Sequence, residues 1–529
     1  MPTLNWLGKD KIINHANKIP FHVLNHKYNF QAKINSLFEN SEINTGNKII
    51  HGDNLIALKS LLPEYAGKIK CVYIDPPYNT GNENWVYNDN VNDPKFKKWL
   101  GEVVGKEGED FTRHDKWLCM MYPRLQLLKQ LLSDDGAIFI SIDDNEQANL
   151  KLLCDEIFGG NNFVAQVIWE RAYAPVNLKK HFSLSHDYLI CYAKNIEMLV
   201  CNGLPRSESA NDRYKNPDND PRGLWQSDNL SVGPIIESKV YEITTPSGRK
   251  VLPPKGYCWR LDQETFQAYV ADNRIWFGED GNNVPRIKRF LSEVKQGITP
   301  MTIWKYTDVG HSQDATKALK TIFDGQAVFS YPKPVDLIKR CLELYTDKNS
   351  IILDSFAGSG TTAHAVLNLN KLDGGSRKFI LIELEDYADN ITAERVKRVM
   401  QGYNNVEGTG GSFDFYEVGE AVIINNELNK NLQIEEIYKY IWHAETGENY
   451  KKLAGKNYFI GFHNDKAIYF YYNQKKITRL DMRFINKHVS FDGKAKRYII
   501  YADSCALSNE YMTEHNIEFR KIMRDIKAS

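Results

Sequence analysis

Residues 47–78 read NKIIHGDNLIALKSLLPEYAGKIKCVYIDPPY. A short apolar strand leads to a turn at Gly52 and Asp53, then leucines recur at helical spacing (Leu55, Leu58, Leu61, Leu62), then a second apolar run extends from Ile69 to Ile74. This is a strand, helix, strand unit. Outward from it, Leu118, Leu125, Leu128, Leu131 and Leu132 predict a helix, SDDG a break, and AIFISID another strand, repeating the rhythm of a parallel sheet. The rhythm stops between about Arg171 and Ser330, where Asn, Asp, Pro, Ser and Gly accumulate and aromatics recur around Tyr257, Trp259, Trp276 and Trp304. It resumes with a helix over Val335 to Tyr345, a strand over Ser350 to Leu353, a Gly-rich turn, a helix over Thr361 to Asn370 and a strand over Lys378 to Glu383. The expected fold is α/β, with one sheet built from residues 1–170 and 331–420, an inserted domain at 171–330, and a smaller α+β domain at 421–529. In that last domain Ile434 to Ala444 reads as helix and Tyr458 to Tyr472 as strand.

The 529 residues suffice for about three or four domains. With 42% hydrophobic and 25% charged residues, the composition excludes wholesale disorder and fibrous repeats. Lys plus Arg (67) equals Asp plus Glu (67), so any basic surface must be local. Residues 171–333 carry 22 Lys and Arg against 18 Asp and Glu, an excess too small to identify a nucleic-acid surface. No apolar run approaches the ~18 residues of a bilayer span, and the first thirty residues lack the apolar stretch of a secretory signal, so no membrane partner and a cytoplasmic location are expected. Eight cysteines lie at least ten residues apart with no Cys-x-x-Cys pair, which reads as buried reduced thiols and no metal site.

Two motifs carry chemistry. Asp75-Pro76-Pro77-Tyr78 ends the strand CVYI; the prolines supply no N–H and fix φ, so Asp75 and Tyr78 are held on a stiff turn at the carboxyl edge of the sheet, where open α/β sheets bind ligands. A strand-end Asp before proline is also an ordinary cap on a rigid loop. The second motif, Asp354-Ser355-Phe356-Ala357-Gly358-Ser359-Gly360-Thr361, follows the strand IIL and opens a helix. Gly358 and Gly360 permit a tight turn and close ligand approach, and the helix N–H groups beyond Gly360 suit a carboxylate or phosphate. Glycines needed only for helix-sheet packing would look the same, and read as G-x-G-x-x-A the turn also fits a dinucleotide fold, with Glu383 on ribose hydroxyls. The Gly-Lys-Ser/Thr of a P-loop is missing.

DPPY followed 281 residues later by FAGSG resembles the DNA amino-methyltransferases, specifically the permuted group in which the catalytic motif precedes the cofactor motif. LNWLGKD, HGDNLIALKSLL, DPPYNTGN, NPDNDPRGLWQSDNL, RIWFGEDGNNVPRIKRFLSE, YPKPVDLIKR, FAGSGTTAHAVLNLN and GGSRKFILIELED further resemble the modification subunit of type III restriction-modification systems. The resemblance implies a Rossmann-like methyltransferase fold, S-adenosylmethionine as cofactor and double-stranded DNA as substrate, with 171–330 as target-recognition domain.

By that resemblance Phe356, Ala357 and the turn from Gly358 to Thr361 border the methionine portion of the cofactor, with Asp354, Asp75 and Lys333 nearby, Glu383 on the ribose and Asp53 at the adenine end. Asp53 reads equally as the N-cap of the following helix, and Lys333 as a solvated lysine. Asp75 and the Pro76 carbonyl would accept hydrogen bonds from an adenine amino group while Tyr78 stacks on the base, which must first be flipped out of the duplex. Asp at the first motif position points to adenine N6. Cytosine N4 is the alternative, and a non-catalytic DNA-recognition subunit a more distant one. Arg222, Arg274, Arg286, Lys288 and Arg289 are candidate DNA contacts. A homodimer and a nuclease-helicase restriction partner are implied by the resemblance alone.

Overall fold

The computed structural model describes residues 4–32, 46–80, 113–175, 180–204, 211–293, 297–424, 427–448, 450, 458–491 and 493–522. Its main feature is a ten-stranded sheet. In chain order the strands are β1 (His22–Gln31), β2 (Lys48–His51), β3 (Ile69–Ile74), β4 (Leu132–Ile142), β5 (Phe163–Glu170), β6 (His186–Ala193), β7 (Ile303–Trp304), β8 (Ile351–Asp354), β9 (Lys378–Glu383) and β10 (Ser412–Ala421). They lie in the order β1-β10-β2-β9-β8-β3-β4-β6-β5-β7. The central run from β10 to β4 is parallel throughout, and β6 turns antiparallel against β4.

Parallel strands covered on both faces need continuous apolar runs rather than alternation, and β3 (IKCVYI), β8 (IILD) and β9 (KFILIE) supply them. Val72, Ile74, Leu353 and Ile380 pack in one cluster with the helices α1 (Asn54–Tyr65) and α2 (Arg113–Leu131). The alternate residues face the other side, where Phe139 of β4 meets Tyr345 at 5.8 Å between rings. That side is covered by helices that include α5 (Val335–Tyr345) and α6 (Thr361–Asp373), preceded in the chain by α3 (Gln147–Cys154) and α4 (Ser312–Ile322) and followed by α7 (Glu394–Gln401).

The structure departs from the sequence reading in four places. SDDG does not break the chain between helix and strand: β4 starts at Leu132, and the register steps from Ile69↔Leu132 to Cys71↔Ala137, so the extra residues bulge out within the strand. Gly136 is required there, because a Cβ would approach the Ile69 carbonyl to 2.9 Å. Second, β6 and β7 lie inside the 171–330 stretch yet belong to the large sheet, and the separate compact unit is Asn202–Pro300. Third, the strand read over Tyr458 to Tyr472 is two strands, β11 (Phe459–His463) and β12 (Lys466–Phe470), joined where Asn464 takes φ 53°, a left-handed conformation that Asn tolerates. With β13 (Arg497–Ala502) and β14 (Ile517–Lys521) these form a four-stranded sheet. Fourth, Cys201 and Cys505 are half-exposed, while the other six cysteines are buried and all eight are free.

The unit at Asn202–Pro300 holds a three-stranded sheet of Trp225–Asn229, Arg286–Phe290 and Ile275–Trp276, with its own core around Leu230, Trp259 and Phe266. Among the described residues no helix is long and apolar enough to cross a membrane.

Candidate functional site

Strands β3 and β8 are neighbours in parallel register, Ile352 opposite Cys71 and Leu353 opposite Val72. Their carboxyl ends, Ile74 and Asp354, separated by 280 positions in the chain, therefore emerge side by side.

The turn after β3 is pinned from beneath. Trp117 of α2 donates its indole N–H to the Pro77 carbonyl at 2.7 Å. Asn79, at φ 60°, donates its side-chain amide to Glu146 Oε1 (2.5 Å) and the Arg113 carbonyl (3.1 Å). Glu146 is fully buried and also takes His114 Nδ1 at 2.7 Å and Asn149 Nδ2 at 2.8 Å, so its lone pairs are well used. Above the turn, Lys333 Nζ lies 2.6 Å from Asp75 Oδ2 and 4.9 Å from the centre of the Tyr78 ring, which orients both side chains. Lys333 sits between two prolines, and Tyr331 before them takes φ 58°, a conformation rare for an aromatic residue. It is not a solvated lysine.

The turn after β8 is built around two buried carboxyls. Asp354 accepts from the Phe356 N–H (3.0 Å) and the Thr362 hydroxyl (2.5 Å). Glu383, at the end of β9, accepts from the Gly358 N–H (2.7 Å) and the Glu385 N–H (3.0 Å). Burial pushes each up to about 7, with neighbouring acids adding to the shift. Gly360 takes φ 78°, and a Cβ there would stand 3.1 Å from the Thr392 carbonyl. That glycine is dictated by both strain and space.

Between the two turns lies a cavity of about 240 Å³. From the DPPY side it is lined by Asp75, Pro76, Tyr78 and Lys333, and from the glycine side by Asp354, Phe356, Ala357, Gly358, Ser359 and Thr361. Pro77 and Gly360 support the turns without lining it. Asp53 and Glu383 stand outside the lining, Asp53 in the turn after β2 and Glu383 at the end of β9, further along the same sheet edge. Asp53 caps α1 through the Leu55 N–H at 2.8 Å and lies 3.5 Å from Arg124.

Sequence reasoning missed the far wall. Arg171 after β5 and Asp187 of β6 form an ion pair of 2.8 Å within the cavity lining, beside Asp143 at the end of β4. Burial lifts the Asp187 carboxyl to about 6 despite Arg171. The signal available was the Asp opening HDYLICYA, but only the antiparallel pairing of β6 with β4 brings it to this edge. Arg395 of α7, behind the glycine turn, was also missed.

The charge-based DNA candidates divide sharply. Lys288 is buried in its own unit and held by Asp218 and, at 3.3 Å, by Asp220, so it has no access to a phosphate. Arg222 forks onto Asp220 (2.9 Å twice) and reaches Asp272 (3.1 Å), its guanidinium 4.3 Å from the Phe290 ring centre. Arg274 grips Glu293 at 2.6 and 2.7 Å and Asp272 at 2.6 Å. All three carry their charge against acids of the same unit, and Lys288 alone among them is buried. Arg286 is exposed, and Arg289 is exposed with Asp228 at 3.0 Å.

The raised Asp354 carboxyl sets a direction for stability. The folded chain binds this proton more tightly than the unfolded chain, whose Asp titrates near its ordinary value of about 3.9, so stability falls as pH rises between the two values and the loss is complete above about 7. Asn can still accept from Phe356 N–H, and the Thr362 hydroxyl can turn to accept from its amide. Asp354→Asn is therefore expected to flatten the decline in unfolding free energy between pH 4 and 7 by up to a few kcal/mol, at about 1.4 kcal/mol per pH unit. Urea unfolding at pH 5 and pH 8 measures this, and an unchanged pH slope contradicts it.

The family model described as DNA methylase, N6_N4_Mtase, matches residues 69–394. The chain is 37% identical over 389 residues to the Mod subunit of the StyLTI type III restriction-modification enzyme of Salmonella typhimurium, covering 70% of this chain and 57% of that protein. It is 33% identical over 458 residues to the EcoP15I Mod subunit of Escherichia coli, covering 76% and 67%. It is also 33% identical over 397 residues to the type II methyltransferase M.KpnI of Klebsiella pneumoniae, covering 70% and 89%. The chain thus spans little more than half the length of the StyLTI subunit. The matched stretch runs from the first residue of β3 to the first of α7, taking in both turns that frame the cavity, and the chain belongs to the N6/N4 DNA methylase family.

Proposed function

We propose that this chain is a sequence-specific DNA methyltransferase that transfers the methyl group of S-adenosylmethionine to N6 of a flipped-out adenine. The observation that carries the reading is the parallel adjacency of β3 and β8, which opens Asp75 and the Ser359 to Thr361 turn onto one cavity. The lining suits that cofactor: carboxylates at Asp75 and Asp354 offset a sulfonium, and the left-handed glycines leave backbone room for the methionine portion. Glu383 and Asp53, next along the edge, are assigned to the ribose and adenine end. Each carboxylate keeps lone pairs beyond those its backbone donors use.

Bound there, the cofactor would supply an electrophilic methyl group, its C–S bond breaking with the electron pair left on sulfur as the new C–N bond forms, and the methylated amino group would release one proton to solvent. Asp75 and the Pro76 carbonyl accept the N6 hydrogens, which favours a lone pair localised on nitrogen over one delocalised into the ring. Lys333 holds Asp75 in place for this, and Tyr78 offers its ring to the base, recovering part of the few kcal/mol that extrusion from the duplex costs. No covalent enzyme intermediate is needed, and positioning provides most of the acceleration.

The Mod relatives support the further reading that the chain is a modification component of a restriction-modification system; a cytoplasmic location, a homodimer and a nuclease-helicase partner are proposed with it on the motif resemblance alone. The unit at 202–300 is the proposed target reader, with Arg286 and Arg289 as its accessible candidates among those named. Incubation with duplex DNA and methyl-tritiated S-adenosylmethionine, followed by digestion to nucleosides, tests the reaction. Label in N6-methyladenine is expected; label only in N4-methylcytosine overturns the choice of base, and label in neither overturns the enzyme.

A further inference from the structure

Behind the glycine turn lies a charge that protein chemistry alone leaves uncompensated. Arg395 of α7 is 2% exposed, and among the described residues no carboxylate acts on its charge and its Nε has no hydrogen-bond acceptor. Burial lowers the guanidinium to about 10, which leaves it charged at neutral pH. Burying a cation without a counter-ion is costly, and such a charge persists when something else at the site makes use of it.

Its hydrogen bonds indicate what that is. Arg395 Nη1 donates to Thr361 Oγ1 (2.7 Å), Ser359 Oγ (2.9 Å) and the Ser359 carbonyl (3.3 Å). Nη2 lies 3.3 Å from His364 Nδ1. Burial first, then Arg395 itself, push His364 well below its usual range, so it faces the guanidinium as a neutral ring. A guanidinium only donates, so the two hydroxyl oxygens are acceptors in these bonds and their protons point elsewhere. The hydroxyls are 3.4 Å apart, and that contact can use only one of the two protons. Both residues line the cavity at the start of α6, which has no side-chain cap, and among the described residues at least one of the two polarised hydroxyls has no acceptor for its proton.

We infer that Arg395 is the built-in counter-charge of a carboxylate subsite, acting through the hydroxyls of Ser359 and Thr361 rather than by direct contact. The inference rests on the cofactor reading above, and it gives the cavity a polarity. The anionic carboxylate of the methionine portion is drawn to the Arg395 end, and the cationic sulfonium is left toward Asp75 and Asp354. Arg395 is thus a positioning residue: it sets which way the cofactor lies.

Calorimetric titration of the full chain with S-adenosylmethionine and with its decarboxylated analogue tests this, in wild type, Arg395→Met, Arg395→Lys and Thr361→Val. Wild type is expected to prefer the carboxylated ligand by about 10- to 100-fold. Arg395→Met should reduce the preference to within about threefold while still binding the analogue, Arg395→Lys should restore part of it, and Thr361→Val should lower it while the guanidinium stays in place. Equal weakening of both ligands by Arg395→Met shows a merely structural role and overturns the proposal, as does an undiminished preference in that variant. If Arg395→Met does not fold, Thr361→Val decides: a preference as large as wild type overturns the relay. Wild-type protein that binds neither ligand contradicts the cofactor reading itself.

Discussion

Asp75→Asn is expected to lower the rate of methyl transfer by roughly two to three orders of magnitude, the usual loss when a preorganised hydrogen-bonding group at the reacting atom is removed. The substitution keeps the size of the side chain but presents an amide where N6–H needs an acceptor. It also places that amide beside the Lys333 ammonium, which stands 2.6 Å from Oδ2. Asp75→Ala should lose at least as much. Binding of S-adenosylmethionine should change only severalfold, because the Ser359 to Thr361 end of the cavity is untouched. Lys333→Met separates orientation from chemistry: if the ammonium only holds Asp75, the loss should be nearer tenfold. Single-turnover assays with calorimetry on the same proteins measure both quantities, and undiminished turnover in Asp75→Ala would remove Asp75 from the mechanism.

The largest expected effect on stability lies in the unit at 202–300. Lys288 is 1% exposed, its ammonium between Asp218 and Asp220 and 5.3 Å from the Trp225 ring centre. Arg222 holds the Asp220 carboxyl well below the usual carboxylate range, so that acid remains ionised whether or not Lys288 is present. Lys288→Met leaves Asp218 and Asp220 short of a partner, at a cost of roughly 3–5 kcal/mol, a large part of the ~5–15 kcal/mol that holds a domain together. Limited trypsin digestion should then cut within 202–300 under conditions where the remaining chain survives. Asp218→Asn combined with Lys288→Met should cost less than the sum of the two, since the second substitution removes an acid already stripped of its counter-ion. Wild-type resistance in Lys288→Met would show that the ion pair contributes nothing.

What could be read in advance follows from what is local. Strands β3, β8 and β9 are legible because strands buried on both faces are written as unbroken apolar runs. Helix α5 is legible over its full length because Leu337, Ile338, Cys341, Leu342 and Tyr345 hold one face. The bulge in β4 is illegible because SDDG, read locally, signals a turn, and only pairing with β3 keeps the chain extended through it. Strand β6 was hidden by the polar residues that precede it, although HDYLICYA is itself a strand pattern. For the site, the DPPY and glycine turns were readable as motifs, and their convergence required only that their strands be neighbours. Asp187 and Arg395 were not readable, since both owe their place to long-range packing. Lys288, Arg222 and Arg274 show the opposite limit: charge was visible, but the acids that pair with them inside the unit were not, some as far as 70 residues away in the chain.

The convergence of β3 and β8 on one ligand is tested most directly by a crystal structure of the full chain grown with S-adenosylhomocysteine. The account predicts ligand density in the cavity between the two turns, with the carboxylate within hydrogen-bond reach of Ser359 and Thr361 and the sulfur on the side of Asp75. Density at another place on the sheet edge, or in the cavity with the carboxylate beside Asp75, would contradict it.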